Sequence, residues 1–262
     1  PDAVMGVVPS DHYITDEAGF AELAGRGFAA AEERDVIATV GVVPNRPETG
    51  YGYLKLGDAL DGDRLFRVEA FVEKPDAETA QHYIESGSYL WNAGMFFVGA
   101  RRLLRELATH MPETHTGLEQ IAGALRSGGR AAAIETTERV YGELPSVSID
   151  YGVMERADNV ATVRGDFGWN DVGAWTALAD YRPADKRGNV TQGSVVAIDC
   201  SDNIIISEGA GDGEPVAVAA VGVEGLVIVQ SGNSILIVPR ERAQDVRAVV
   251  AELKERELDQ FL

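Results

Sequence analysis

Two unbroken apolar runs separated by one amphipathic stretch, all within residues 5–43, constrain the fold more than anything else in this chain. Met5-Gly6-Val7-Val8 carries no polar alternation, the pattern of a strand covered on both faces. Thr15 or Asp16 is placed to cap a helix running to about Arg34. Phe20, Leu23, Ala24, Gly27, Phe28 and Ala31 fall on one helical stripe there. Residues 36–43 are again continuous and β-rich. Strand, helix, strand predicts a βαβ unit with a parallel sheet and a right-handed crossover.

A turn-rich loop over 44–50 leads to an apolar segment at 51–56, and Asp61-Gly62-Asp63 signals a hairpin returning as a strand over 65–72. Asp76 caps a short helix ending near Gly87, and 91–98 read as a strand. Two helices follow, one through Leu103, Leu104 and Leu107, the other from Pro112 through Leu118, Ile121 and Leu125 to a stop at Gly128-Gly129. Ser148 caps a further helix, 160–163 form a short strand, and Trp175, Leu178 and Ala179 line a last short helix.

Composition changes at 183–188. Beyond it, short Val/Ile runs at 195–198, 204–206, 216–218, 226–229 and 235–238 predict a small all-β part. A charged helix over 241–258 carries Ala243, Val246, Val250 and Leu253 on one side, a stripe that packs on the β part or serves as a subunit contact. The boundaries read as 1–184 and 185–262.

The formal charge of −19 argues against nucleic acid and against anionic membrane surfaces. Cys200 is alone, so an internal disulfide is impossible, which fits a reducing cytoplasm. No apolar stretch reaches membrane-spanning length and no signal peptide opens the sequence. A strand at 3–8 with nothing before it reads as the start of a fragment whose upstream part is missing.

The chemistry is carried by polar residues at the ends of ordered segments. Asp11, in Pro9-Ser10-Asp11-His12, lies just past a strand end, where open sheets bind ligands. It serves equally as an Asx turn or helix cap; His12 beside it reads as structural. Asp171 lies in Gly168-Trp169-Asn170-Asp171-Val172-Gly173, where the alternative is again a cap. Two such carboxylates converging suit Mg²⁺, which takes a few carboxylates plus substrate phosphates. In Glu73-Lys74-Pro75 the proline ends a strand and presents an ammonium for a phosphate and a carboxylate for sugar hydroxyls, or else a solvated pair. Gly52 allows close backbone approach to a ligand or belongs to a plain hairpin; Asn92 binds a hydroxyl or ties down a loop. No Cys/His metal cluster, nucleophile elbow or dinucleotide or P-loop glycine motif is present, and Cys200 reads as core.

In order, Pro9-Ser10-Asp11-His12, residues 48–53, Phe71-Val72-Glu73-Lys74-Pro75, Trp91-Asn92-Ala93-Gly94-Met95-Phe96, Ser148-Ile149-Asp150-Tyr151-Gly152-Val153-Met154-Glu155 and Trp169-Asn170-Asp171-Val172-Gly173 resemble mannose-1-phosphate guanylyltransferases. The tail resembles the small β-helical domain of shorter bacterial members. The resemblance implies an α/β, Rossmann-like nucleotidyltransferase domain with a mixed, mainly parallel sheet whose first strands are missing, followed by a β-helix-like domain with a closing helix. It implies synthesis of GDP-mannose and pyrophosphate from mannose 1-phosphate and GTP. Asp11 and Asp171 would hold Mg²⁺, Lys74 the sugar phosphate and Glu73 the sugar hydroxyls; Gly52 and Asn92 would line the sugar pocket. Asp150 sits in a family motif without an assigned role. The family's glycine-rich loop for the triphosphate is absent from this sequence, which implies that these residues alone are inactive or impaired. Rival readings are a nucleotidyltransferase for glucose 1-phosphate with UTP or dTTP, and a non-catalytic sugar-nucleotide-binding regulator. The terminal helix and β-rich tail are candidate homodimer surfaces.

Overall fold

The computed structural model describes residues 3–173, 175–180, 182–211 and 213–261. Contacts divide the chain into two units, Pro1–Asp171 and Val172–Leu262. No helix among the described residues is long and apolar enough to cross a membrane.

In chain order the first unit holds β1 (Val4–Val7), β2 (Tyr13–Ile14), α1 (Glu17–Arg34), β3 (Ile37–Val42), β4 (Gly52–Asp61), β5 (Leu65–Glu73), α2 (Ala77–Ser86), β6 (Tyr89–Gly99), α3 (Ala100–His110) and α4 (Pro112–Glu143). A π-helical turn (Asp150–Met154), β7 (Val160–Gly165) and β8 (Trp169–Asn170) complete it. Asp16 and Asp76 cap α1 and α2 as their sequences predict, each carboxylate accepting the N–H three residues on, at 2.9 and 2.8 Å. The double glycine does not end α4: only Gly129, at φ 72°, breaks the helical geometry, and the helix resumes to Glu143.

Six strands form one sheet in the order β1-β6-β3-β7-β5-β4, with β4 also pairing to β6. The sheet is mixed, as expected, but its ladders are not mainly parallel. β1, β3, β4 and β7 share one direction while β5 and β6 oppose them, so among the described residues only the β3–β7 ladder of this sheet is parallel. β1 and β3 are parallel to each other as the βαβ reading requires, but β6 lies between them. Nor is β1 covered on both faces. It is an edge strand, with Met5 and Val7 exposed, because β6 is the strand it pairs with.

β3 is buried along its whole length, and its alternate residues feed two cores. Ala38, Val40 and Val42 join Leu23, Ala30 and Ala31 of α1 and Phe97 of β6. Ile37 joins Phe96 and Val98 of β6, with Leu107 of α3 and Val153 and Met154 of the π turn. Of the predicted α1 stripe, Phe28 is 40% exposed, although its ring still meets Phe97 edge-on at 4.8 Å.

The second unit opens with a 3₁₀ turn (Trp175–Asp180) and continues as β9 (Val190–Gln192), β10 (Val195–Ile198), β11 (Ile204–Ser207), β12 (Val218–Val221), β13 (Leu226–Ser231) and β14 (Ser234–Pro239). β9, β11 and β13 stack in parallel, as do β10 and β12, while β14 folds back antiparallel on β13. Asn189 and Asn203, both buried, join successive turns through a 2.9 Å hydrogen bond. Cys200 is core, packed with Ile205, Ala220 and Ile228. The closing helix differs from its prediction: a 3₁₀ segment (Arg240–Asp245) precedes α5 (Val246–Glu255), Ala243 is buried, and no residue of α5 is.

Candidate active site

Two short strands make the site. Tyr13 and Ile14 of β2 pair with Asn170 and Trp169 of β8, and the ladder continues as Thr15 N–H to the Gly168 carbonyl (3.3 Å) and Asp16 N–H to the Phe167 carbonyl (3.1 Å). Gly168 makes this approach feasible: its φ is +63°, and a Cβ there would sit 1.7 Å from Thr15 Oγ1. The pairing joins segments 157 positions apart, and Trp169 Nε1–H donates to His12 Nδ1 at 2.9 Å. Burial pushes the His12 imidazole below its ordinary pKa, and the charges of Asp171 and then Asp11 oppose that shift. Both acids, predicted from opposite ends of the unit, therefore act on one imidazole.

Tyr51 is a part the sequence reading missed, because its segment was valued for glycines. Its hydroxyl donates to Asp171 Oδ1 at 2.8 Å. Its ring packs against Trp91 and Trp169, both at 5.2 Å between centroids. Burial first, and the Asp171 charge second, push the phenol pKa far up, so Tyr51 remains a donor.

The same residue connects to a second cluster. The Tyr51 carbonyl accepts the Lys74 N–H at 3.2 Å. Lys74 has φ 49°, a left-handed conformation that breaks strand alternation. Adjacent residues that a regular strand would send to opposite faces thus share one side, and Lys74 Nζ lies 2.5 Å from Glu73 Oε1. The Glu73 side chain is only 10% exposed, against 41% for Lys74. Gly52 is Glu73's partner across the β4–β5 ladder. A Cβ at Gly52 would lie 2.6 Å from Glu73 Oε2 and 3.5 Å from Asn92 Cβ.

Asn92 is buried and oriented. Its Oδ1 accepts from Thr39 Oγ1 (2.9 Å) and from Gly94 N–H (3.3 Å), which turns Nδ2 toward Asp150 Oδ1 at 3.4 Å. Asp150 lies on the π turn, and burial and then the Glu73 charge push its carboxyl above the ordinary range. Gly52, Glu73, Lys74 and Asn92 are therefore one cluster, with Asp150 added, and Tyr51 joins it to the Asp171 end.

Among the described residues no three His, Cys, Asp or Glu side chains gather as a metal cage. Asp11 precedes β2 and Asp171 follows β8, and each carboxylate acts on the His12 imidazole.

The first unit is thus a mixed α/β sheet with polar clusters at its strand ends, and the second is built of parallel β rungs. The nucleotidyl transferase family profile matches residues 1–188, and the mannose-phosphate isomerase/GMP-like β-helix domain matches 193–253. The chain belongs to the nucleotidyl transferase family. It is 39% identical to the xanthan biosynthesis protein XanB of Xanthomonas campestris pv. campestris (strain B100), over 97% of this chain and 51% of that protein. It is 37% identical to a mannose-1-phosphate guanylyltransferase of Escherichia coli (strain K12), over 97% of this chain and 52% of that protein. The chain thus spans about half the length of these curated relatives. A crystal structure described as a mannose-1-phosphate geranyltransferase from Thermus thermophilus superposes with a TM-score of 0.79 at 36% identity, covering 96% of this chain and 70% of that one.

Proposed function

We propose that these residues are the sugar-phosphate half of a mannose-1-phosphate guanylyltransferase, which joins mannose 1-phosphate to GTP with release of pyrophosphate. The observation that carries the reading is the β2–β8 ladder, which brings the Asp11 segment to Asp171 while Tyr51 ties Asp171 to the Lys74 strand end. The name of a relative, mannose-1-phosphate guanylyltransferase, supports the sugar phosphate and the guanylyl group in this reading.

In this reading Lys74 offers its ammonium to the phosphate of the sugar, held in place by Glu73. The second Glu73 oxygen, Oε2, faces the space left by the missing side chain of Gly52 and accepts hydrogen bonds from sugar hydroxyls. Asn92 closes the same pocket. A phosphate monoester is already an anionic nucleophile, so no general base is needed; its oxygen attacks the α-phosphorus and pyrophosphate leaves. The protein's task is alignment and neutralisation of charge. Asp11 and Asp171 would hold Mg²⁺, which when bound neutralises phosphate charge. Both substrates are water-soluble, consistent with cytoplasmic work. The 262 residues contain no glycine-rich phosphate loop, so we expect impaired turnover from them alone.

The test is Asp171→Asn in the complete gene product. Mg²⁺-dependent formation of GDP-mannose is expected to fall by roughly 100-fold or more while Tyr51, still able to donate to the amide oxygen, keeps the fold. Unchanged Mg²⁺-dependent turnover would remove Asp171 from the reaction, and preference for UTP or dTTP would discard the guanylyl assignment.

A further inference from the structure

Asp150 is a polar group of the Glu73 cluster that the proposed mechanism leaves idle. It sits at the head of a π-helical turn, a rare backbone form often found at functional sites. It is partly buried, yet among the described residues one side chain donates to it, Asn92, at the long distance of 3.4 Å. Asn92, which bonds it, also borders the gap at Gly52 that Glu73 Oε2 faces, and Glu73 and Lys74 both act on Asp150 electrostatically. That space holds two desolvated carboxylates and one ammonium, and the ammonium is already 2.5 Å from Glu73. With one long side-chain donor and its own backbone N–H, this partly buried carboxylate keeps acceptor capacity for further donors.

Asn92 explains how Asp150 is aimed. With Oδ1 committed to Thr39 and Gly94, the Asn92 amide can present only its N–H₂ group to the cluster. One N–H serves Asp150, and the arrangement leaves the carboxylate acceptor capacity for a ligand rich in hydroxyl donors.

We propose that Asp150 is a second hydroxyl acceptor of the sugar pocket, contacting a hydroxyl of the hexose 1-phosphate beside Glu73, with Asn92 as its positioning residue. This rests on the reading that the pocket binds a sugar phosphate. It makes the preference for a polyhydroxylated sugar a property of two carboxylates on separate elements, β5 and the π turn.

The experiment uses the complete gene product and its Asp150→Ala and Asp150→Asn variants, with mannose 1-phosphate and its four monodeoxy derivatives as sugar substrates. Asp150→Ala is expected to raise KM for mannose 1-phosphate roughly 10- to 100-fold, as for loss of a hydrogen bond to a charged group, with KM for GTP unchanged. One deoxy derivative, lacking the contacted hydroxyl, should be handled equally by wild type and variant. Asp150→Asn, which preserves shape, should fall between them and keep the wild-type melting temperature. An unchanged KM in Asp150→Ala, or equal losses for all four deoxy sugars, overturns the contact. So does a parallel rise in both KM values with a lower melting temperature in both variants, since that marks a purely structural role. Failure of the wild type to form any sugar nucleotide would instead strike the proposed function, and this inference with it.

Discussion

Replacing Tyr51 by Phe deletes one oxygen at the junction of the two clusters and leaves the ring between Trp91 and Trp169 in place. The deleted bond runs 2.8 Å to a carboxylate, Asp171. A hydrogen bond to a charged group contributes about 1.5–3 kcal/mol. Asp171 is half-buried, so water recovers part of that, and the lower end applies. We expect about 1.5 kcal/mol, or about tenfold in the unfolding constant. Tyr53→Phe is the control. Its hydroxyl donates at 2.9 Å to a neutral acceptor, the Glu48 carbonyl, and should cost about 0.5–1 kcal/mol. Urea unfolding of both variants, followed by tryptophan fluorescence and circular dichroism, measures the difference as a shift of midpoint at constant slope in the transition of the first unit. A Tyr51→Phe midpoint equal to or above that of Tyr53→Phe would refute the claim that Tyr51 anchors a charged Asp171.

The raised pKa of Tyr51 has a definite sign in alkali. The unfolded phenol ionises near its ordinary pKa of 10.0 while the folded one does not, so this contribution to stability is complete below pH 10 and is lost as pH rises beyond it. Wild type should therefore be more sensitive to alkaline unfolding than Tyr51→Phe; equal loss between pH 10 and 11.5 would contradict this. Gly52→Ala should keep the fold, because the atom in its way is the far end of Glu73, yet raise KM for the sugar phosphate at least about tenfold by displacing that carboxylate. In contrast, Gly41→Ala meets buried Leu90 and Thr162 side chains at 2.5 Å and should destabilise by about 1–3 kcal/mol, read from thermal unfolding. Gly168→Ala combines a positive φ with overlap on Thr15 and should cost at least about 2 kcal/mol while releasing the β2–β8 pairing, visible as deprotection of the Thr15 and Asp16 amides in hydrogen exchange.

Much of the candidate site was legible because strand ends announce themselves. Asp11, Glu73, Lys74 and Asp171 were found as polar groups at points where apolar runs stop, and the resemblance to a family gave the set an order. Tyr51 escaped, and Asp150 was noticed only as a member of a family motif, without a role. An aromatic inside a β-rich segment looks like core, and Tyr51 is core in its ring while its hydroxyl bonds Asp171. Asp150 looked like the first turn of an ordinary helix, whereas its partners Asn92 and Glu73 lie on other elements.

Local pattern alone established α1 with a cap at Thr15 or Asp16, the β4–β5 hairpin and four rungs of the β-rich tail (β10, β11, β13 and β14), because burial of one face imprints a period on neighbouring residues. β9 went unread, and the run at 216–218 met β12 only at Val218. Local pattern did not set neighbours in space. That β6 separates β1 from β3, that β1 is an exposed edge, that α5 buries no residue and that Lys74 turns left-handed to join Glu73 were decided by tertiary structure. Strand order depends on pairings between distant segments, whose closure entropy and ladder hydrogen bonds leave no periodic trace in either segment by itself. The pairing of Tyr13 and Ile14 with Asn170 and Trp169 is of that kind: each segment was visible, and only the fold brought the two together.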